Sequence, residues 1–442
     1  MTMPSWRNLL ARLPQNAFVR SAALVASGSV VGQAIMVAVA PVLSRLYQPA
    51  DFGAFAVFAS TVGILAIIAS LRYEIAIPLP PNEREAWALA RLALAAAAVV
   101  SGLLLISVWV WGPHYMAVFG ISSDQTILIY LIPIGIVLTS LYQISNYLII
   151  RQGRHELLAK GKILQGGTAA TLQTGLGYTP LGPAGLAIGM MLGRFAASIY
   201  ALASLNKTSG KSVGLMVVAR RYIRFPKLAL PSGAINALSV EMPLLLGSYL
   251  YGTDTAGFYA LAQRVVVTPL SMIGKSIAQV YMSALGERVR ERDPAAILLF
   301  TGVARRLFLL GAVPFLLLGL LAPSLFGIAF GERWYASGIL VRILAPAFLA
   351  QFVVVPLSQT LNFISRQDYQ LAWDIARFAG VAGSFALAYW LGLNYIFAFA
   401  AFSILLTLAY AVLYLVMLTA LRRAVSAWQT SEGGGSNADI ES

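Results

Sequence analysis

Cysteine is missing from all 442 residues, and histidine occurs only twice, at His114 and His155. A disulfide framework and a thiolate metal site are thereby excluded, and two histidines set in or beside connections leave no cluster to hold a metal. Neither a metal nor a cofactor is expected. Acidic residues are scarce as well, 17 against 31 Lys and Arg, and charged residues of every kind make up only 11% of the chain. No phosphate loop, nucleophile elbow or zinc-binding motif stands in it, which speaks against an enzyme.

Hydrophobic residues, by contrast, make up 59%. A water-soluble chain of this length does not carry that balance without aggregating. Apolar windows of about 20 residues between polar breaks predict an all-α integral membrane protein of about twelve transmembrane helices. The spans are 20–45, 52–78, 87–112, 125–150, 155–177, 183–205, 226–250, 256–285, 296–322, 337–364, 368–391 and 394–421. Lys and Arg gather at both termini and in the even-numbered connections, as at Arg84, Arg151, Arg154, Arg220, Arg221, Arg288 and Arg290, while the odd-numbered ones hold only Arg45 and Arg333. Positive residues stay in the cytoplasm, so both termini are placed there. The net charge of +14 is on this reading a topology signal and not a nucleic-acid footprint.

The basic opening, 1–19, carries Trp6, Leu9, Leu10 and Leu13 and reads as an interfacial helix on the cytoplasmic side. The apolar run after it is too long for the core of a signal peptide. Residues 422–442, ending in SEGGGSNADIES, read as a disordered cytoplasmic tail.

A basic linker, 206–225, divides the spans into an N-lobe, 20–205, and a C-lobe, 226–421. The halves resemble each other. YQPADFGAFAVFAS from Tyr47 aligns with YGTDTAGFYALAQR from Tyr251, setting Gly53 on Gly257, and LIIRQGRHELLAKGK from Leu148 aligns with FISRQDYQLAWDIAR from Phe363, setting Lys162 on Arg377. Six spans in each half make the repeats parallel, an arrangement found in carriers with a site between two six-helix lobes. A central cavity is expected.

The stretch LSRLYQPADFGAFAVF from Leu43, followed by ASLRYEIAIPLPPNEREA from Ala69, resembles the opening of polysaccharide-transport proteins of the Wzx flippase type. Their superfamily also holds the MATE exporters and the lipid II flippases. The resemblance implies translocation of undecaprenyl-diphosphate-linked oligosaccharide units from the cytoplasmic to the periplasmic leaflet of the cell inner membrane, for O-antigen, capsule or exopolysaccharide. It further implies as partners the lipid-linked substrate, membrane lipid, a polysaccharide polymerase and chain-length proteins, while the parallel repeats suggest alternating access around the central cavity. The rival readings are a multidrug exporter of organic cations with the same fold, and a membrane polymerase or ligase.

A charged side chain at a helix centre costs about 2.5–3.5 kcal/mol, so those inside the spans need a partner or water. Lys162, Arg194, Arg264, Lys275 and Arg377 stand against the acids Glu241 and Asp374, an excess suited to an anion. These five cations, with Arg72, are the expected substrate-binding residues, because guanidinium offers forked donors that match phosphate oxygens. Glu241 and Asp374 are the expected ion-coupling residues, Glu241 at a depth to pair with Arg264 and Asp374 three residues from Arg377. Arg72, Lys275 and Arg342 lie close enough to span ends to snorkel instead, and the glycines Gly185, Gly189 and Gly193 suit close helix packing.

Overall fold

The computed structural model describes residues 17–119, 126–205 and 213–433. The basic opening up to residue 16, residues 206–212 of the linker and the tail beyond 433 lie outside the described residues. Twelve long helices dominate the rest: α1 (Ala17–Leu46), α2 (Pro49–Ala69), α3 (Glu83–Phe119), α4 (Ile127–Arg151), α5 (His155–Leu176), α6 (Pro183–Ser204), α7 (Leu230–Tyr251), α8 (Thr253–Arg290), α9 (Ala296–Phe330), α10 (Tyr335–Val354), α11 (Gln367–Trp390) and α12 (Tyr395–Gly433). Each falls on one expected span. Helix, not irregular chain, occupies residues 422–433 at the end of α12, and a short helix, Leu215–Arg221, occupies part of the linker.

Among the described residues, eleven helices are long and apolar enough to cross a membrane. The exception is α5, whose Glu156, Lys160, Lys162, Gln165 and Gln173 lower its hydropathy. Packing compensates for that polarity. An added Cβ at Gly32 of α1 would stand 2.6 Å from the Lys162 carbonyl oxygen, and one at Gly193 of α6 would stand 2.7 Å from that of Gln165. Backbones approach this closely only where side chains are small, the usual device for joining helices in lipid. Gln173 is buried here, its Nε2 donating to the Leu186 carbonyl and its own carbonyl accepting from the Tyr47 hydroxyl, both at 2.8 Å.

The chain forms two compact units, Met1–Tyr47 with Ala54–Glu241, and Gln48–Gly53 with Met242–Ser442. In the first, Ala54, Phe58 and Val62 of α2 pack on Leu128, Ile132 and Ile136 of α4 and on Ala184, Ala187 and Met191 of α6. Here α2 is shorter than the expected span 52–78. It stops at Ala69 because Leu71 and Arg72 are left-handed, with φ of 52° and 60°, a conformation no α-helix continues through. One turn, Tyr73–Ala76, follows. The next residues are clamped by Arg151, which donates to the carbonyls of Ile77, Pro78 and Pro80 and pairs with Glu83 at 2.7 Å.

In the second unit, α8 is one rod interrupted by a π-turn, Gln263–Val267. Tyr259 of α8, Phe385 of α11 and Phe399 of α12 form an aromatic core with ring centroids 5.1 and 5.2 Å apart. Arg342 of α10 does not snorkel. Its guanidinium donates to the Gly319 and Leu320 carbonyls of α9, both at 3.0 Å. Pro323, four residues beyond Gly319, has no N–H to give that carbonyl, so Arg342 supplies the donor that proline removes. Arg342→Met should lower stability by about 1–3 kcal/mol, read as an earlier thermal transition in detergent, with transport per folded molecule unchanged.

Candidate functional site

In the first unit, the apolar first half of α4 gives way to a polar run, Thr139, Ser140, Tyr142, Gln143, Ser145 and Asn146. Thr139 and Tyr142, three residues apart, share a helix face, and each receives a cation from a neighbouring helix. Arg194 of α6 donates through Nη1 to the Thr139 hydroxyl at 2.6 Å. Lys162 of α5 lies over the Tyr142 ring, 5.4 Å from its centroid, within the range of a cation–π contact. Neither cation has an ion-pair partner among the described residues. The Tyr142 hydroxyl and the Gln143 carbonyl oxygen are buried with no hydrogen-bond partner among those residues, which leaves polar capacity beside two positive charges. Sequence reasoning passed over Thr139 and Tyr142; the interruption of an apolar span by a Thr-Ser-Leu-Tyr-Gln run was the signal for them.

Glu241 accepts a hydrogen bond from the Ser60 hydroxyl of α2 at 2.5 Å. Its partner is a neutral donor. Arg72 belongs to the connection after α2 and not to a span, a correction that follows from its left-handed backbone. Its guanidinium lies 3.6 Å from Glu74 and so tightly on Gly233 of α7 that a Cβ there would meet Nη2 at 2.3 Å. Burial pushes the Glu74 carboxyl up from its ordinary value, against the lowering pull of the Arg72 charge.

In the second unit, Arg264 sits in the π-turn of α8, half-buried and with no ion-pair or hydrogen-bond partner among the described residues. A π-turn inside a membrane helix is a local strain that tends to mark functional positions. Further along α8, Lys275 and Ser271 line a cavity of about 120 Å³ with Gln351, Phe348 and Phe352 of α10. Lys275, Ser276 and Gln279 all lie on exposed positions of this helix, a polar stripe poorly suited to hydrocarbon. On α11, Arg377 pairs with Asp374 at 3.5 Å and stacks over Trp373, 4.9 Å from the ring centroid. Asp374 also accepts from Gln370 at 3.3 Å, and the Trp373 indole is tied to the Ala409 carbonyl at 2.7 Å. Arg377 is therefore a held cation, whereas Arg264 is a free one among the described residues.

The apolar, membrane-crossing helices define a multi-pass integral membrane protein. Solved structures place the fold among multi-pass transporters. The TM-score is 0.69 with the lipid II flippase MurJ in an inward closed conformation, at 11% identity over 96% of this chain and 94% of that one. It is 0.61 with an inward-facing multidrug resistance MATE transporter of the MOP superfamily, at 15% identity over 96% and 98% of the two chains. At these identities the likeness is one of fold. A family profile described as "Polysaccharide biosynthesis protein" matches residues 42–338, and the chain belongs to that family. Relatives by sequence include the succinoglycan biosynthesis transport protein ExoT of Rhizobium meliloti (strain 1021), 23% identical over 79% of this chain and 69% of its own length. The teichuronic acid biosynthesis protein TuaB of Bacillus subtilis (strain 168) is 24% identical over 35% of this chain and 32% of its own.

Proposed function

We propose that this protein is a flippase that carries undecaprenyl-diphosphate-linked oligosaccharide repeat units from the cytoplasmic to the periplasmic leaflet for assembly of O-antigen, capsule or exopolysaccharide. The observation that carries the reading is the set of cations held inside membrane helices without a carboxylate, Lys162, Arg194 and Arg264, in a chain of the polysaccharide biosynthesis family. A diphosphate at neutral pH is the anion such a set attracts, and forked guanidinium donors suit its oxygens. Hydroxyl and amide groups at Thr139, Tyr142 and Gln143, on the helix that meets Lys162 and Arg194, suit the sugars.

The work is transport and not catalysis. The protein resides in the cell inner membrane with both termini cytoplasmic, which the basic connections support. Its substrate and surrounding lipid are its partners, with a polysaccharide polymerase and chain-length proteins acting after it, and the two sequence halves, 20–205 and 226–421, alternate access of the site between the leaflets. Glu241 and Asp374 are the residues for ion coupling. Glu241, with one neutral hydroxyl as its partner, is the better placed to exchange a proton.

The test is transfer of a lipid-diphosphate oligosaccharide across proteoliposomes of the purified protein, with and without a proton gradient. Facilitated transfer is expected. No transfer, accompanied by efflux of organic cations, overturns the reading in favour of a drug exporter. In the same vesicles Glu241→Gln should lose the gradient-driven component of transfer while keeping its slow equilibration; undiminished stimulation by the gradient removes Glu241 from coupling.

A further inference from the structure

A groove of about 610 Å³ lies in the second unit between α9, α10 and α12. Its walls explain its depth. Each helix presents an alanine to it, Ala304, Ala350 and Ala411, and Pro346 adds a ring where α10 lacks a backbone donor. Three helices that meet through small side chains at one level leave unfilled space beside them. The lining is otherwise apolar, and its polar groups are few: Arg305, Thr301, Thr407 and Tyr414.

The position of Arg305 decides what fits. Helix α9 has 35 residues, about 52 Å at 1.5 Å per residue, against a hydrocarbon thickness of about 30 Å. Roughly 11 Å therefore projects at each end, and Arg305, nine residues (305 − 296) after Ala296, stands about 14 Å along. That is the edge of the hydrocarbon, where lipid phosphates lie. The Arg305 side chain is exposed, and neither its guanidinium nor the Tyr414 hydroxyl has a hydrogen-bond partner among the described residues. Arg422 is also exposed, seven residues after Leu415 of the groove, and so continues the same face of α12 toward the basic end. The groove thus joins an apolar channel in the bilayer to unpaired cations at headgroup level.

We infer that this groove is a binding site for an anionic glycerophospholipid, its phosphate on Arg305 and Tyr414 and one acyl chain laid along the three alanines. The charge at the mouth selects an anionic over a zwitterionic lipid, because cytoplasmic leaflets are negative and basic pockets between membrane helices hold such headgroups. The site is separate from the intramembrane cations assigned to the transported substrate. Its occupancy stabilises the second unit and is not part of the transport step.

Phosphatidylglycerol is the probe, added to the full-length purified protein in mild detergent and followed by native mass spectrometry and thermal unfolding, with phosphatidylcholine and glycerol 3-phosphate as comparisons. Phosphatidylglycerol should remain bound and raise the thermal transition, and the other two should not. Arg305→Gln should bind it about ten-fold more weakly, the worth of one charge-assisted contact, and Ala411→Phe should abolish retention by filling the groove. Equal retention of phosphatidylcholine, equal protection by glycerol 3-phosphate, or unchanged binding by Arg305→Gln overturns the inference. So does a dimer in the mass spectrum that excludes lipid, since a second copy would then cover the groove.

Discussion

Arg264→Gln should reduce transfer of the lipid-linked oligosaccharide by at least about 100-fold, or roughly 2.7 kcal/mol, while leaving the protein as stable as the wild type or more so. The two halves of that result have one cause. Arg264 stands in the π-turn of α8 with no partner among the described residues, so folding gains nothing from its charge, and an unpaired cation in a span costs about 2.5–3.5 kcal/mol. On the proposed role Arg264 serves binding at the expense of the fold, and two charge-assisted bonds to a diphosphate account for a loss of this size. Arg264→Lys should fall between, keeping the charge and losing the fork. Arg377→Gln, by comparison, should lower both transfer and stability, because it removes the pair with Asp374 and the contact with Trp373. Wild-type transfer by Arg264→Gln, or a drop in stability equal to that of Arg377→Gln, would sink the assignment.

Gly257→Ala should be among the most disruptive single methyl additions to the described residues, lowering stability by at least about 3 kcal/mol. Residues 48–53 belong to the second unit, and there the opening of α2 meets the opening of α8. A Cβ on Gly257 would stand 1.9 Å from the Pro49 carbonyl oxygen, and one on Gly53 would stand 1.8 Å from that of Thr253. The contact is reciprocal, each glycine facing the backbone just before the other, as expected where repeat-related segments pair. Backbone has no rotamer to change, so neither partner can yield as a flexible side chain would. Expression and thermal unfolding in detergent would show it. A folded Gly257→Ala protein with the wild-type transition would mean that these helix ends do not meet in this way. The Gly102→Ala comparison should be nearly silent, because no atom lies within 4 Å of that position.

The alignment of Gly53 on Gly257 was visible in the sequence, but not that the two would touch. A repeat shows itself as pattern along the chain, whereas contact depends on how the copies are brought together. The depth of Arg72 was misjudged for a related reason. Windowed hydropathy carried the second span to residue 78 because Ile75, Ala76 and Ile77 are apolar, and it has no term for the left-handed turn at Leu71 and Arg72 that ends the helix. For α5 the apolar windows were sufficient to suggest a helix, but its polar residues are tolerated only through glycine contacts with α1 and α6.

The order of the twelve long helices, eleven of them apolar enough to cross a membrane, the basic connections and the family were legible in the sequence by itself. A bilayer acts on every span alike, demanding about 20 apolar residues and satisfied backbone, so composition along the chain suffices. Partner choice was decided only by tertiary structure: Ser60 for Glu241, Thr139 for Arg194, the proline-freed Gly319 carbonyl for Arg342, and no partner among the described residues for Arg264. A hydrogen bond or ion pair has a reach of only a few ångströms, and residues tens or hundreds of positions apart come within it by packing alone.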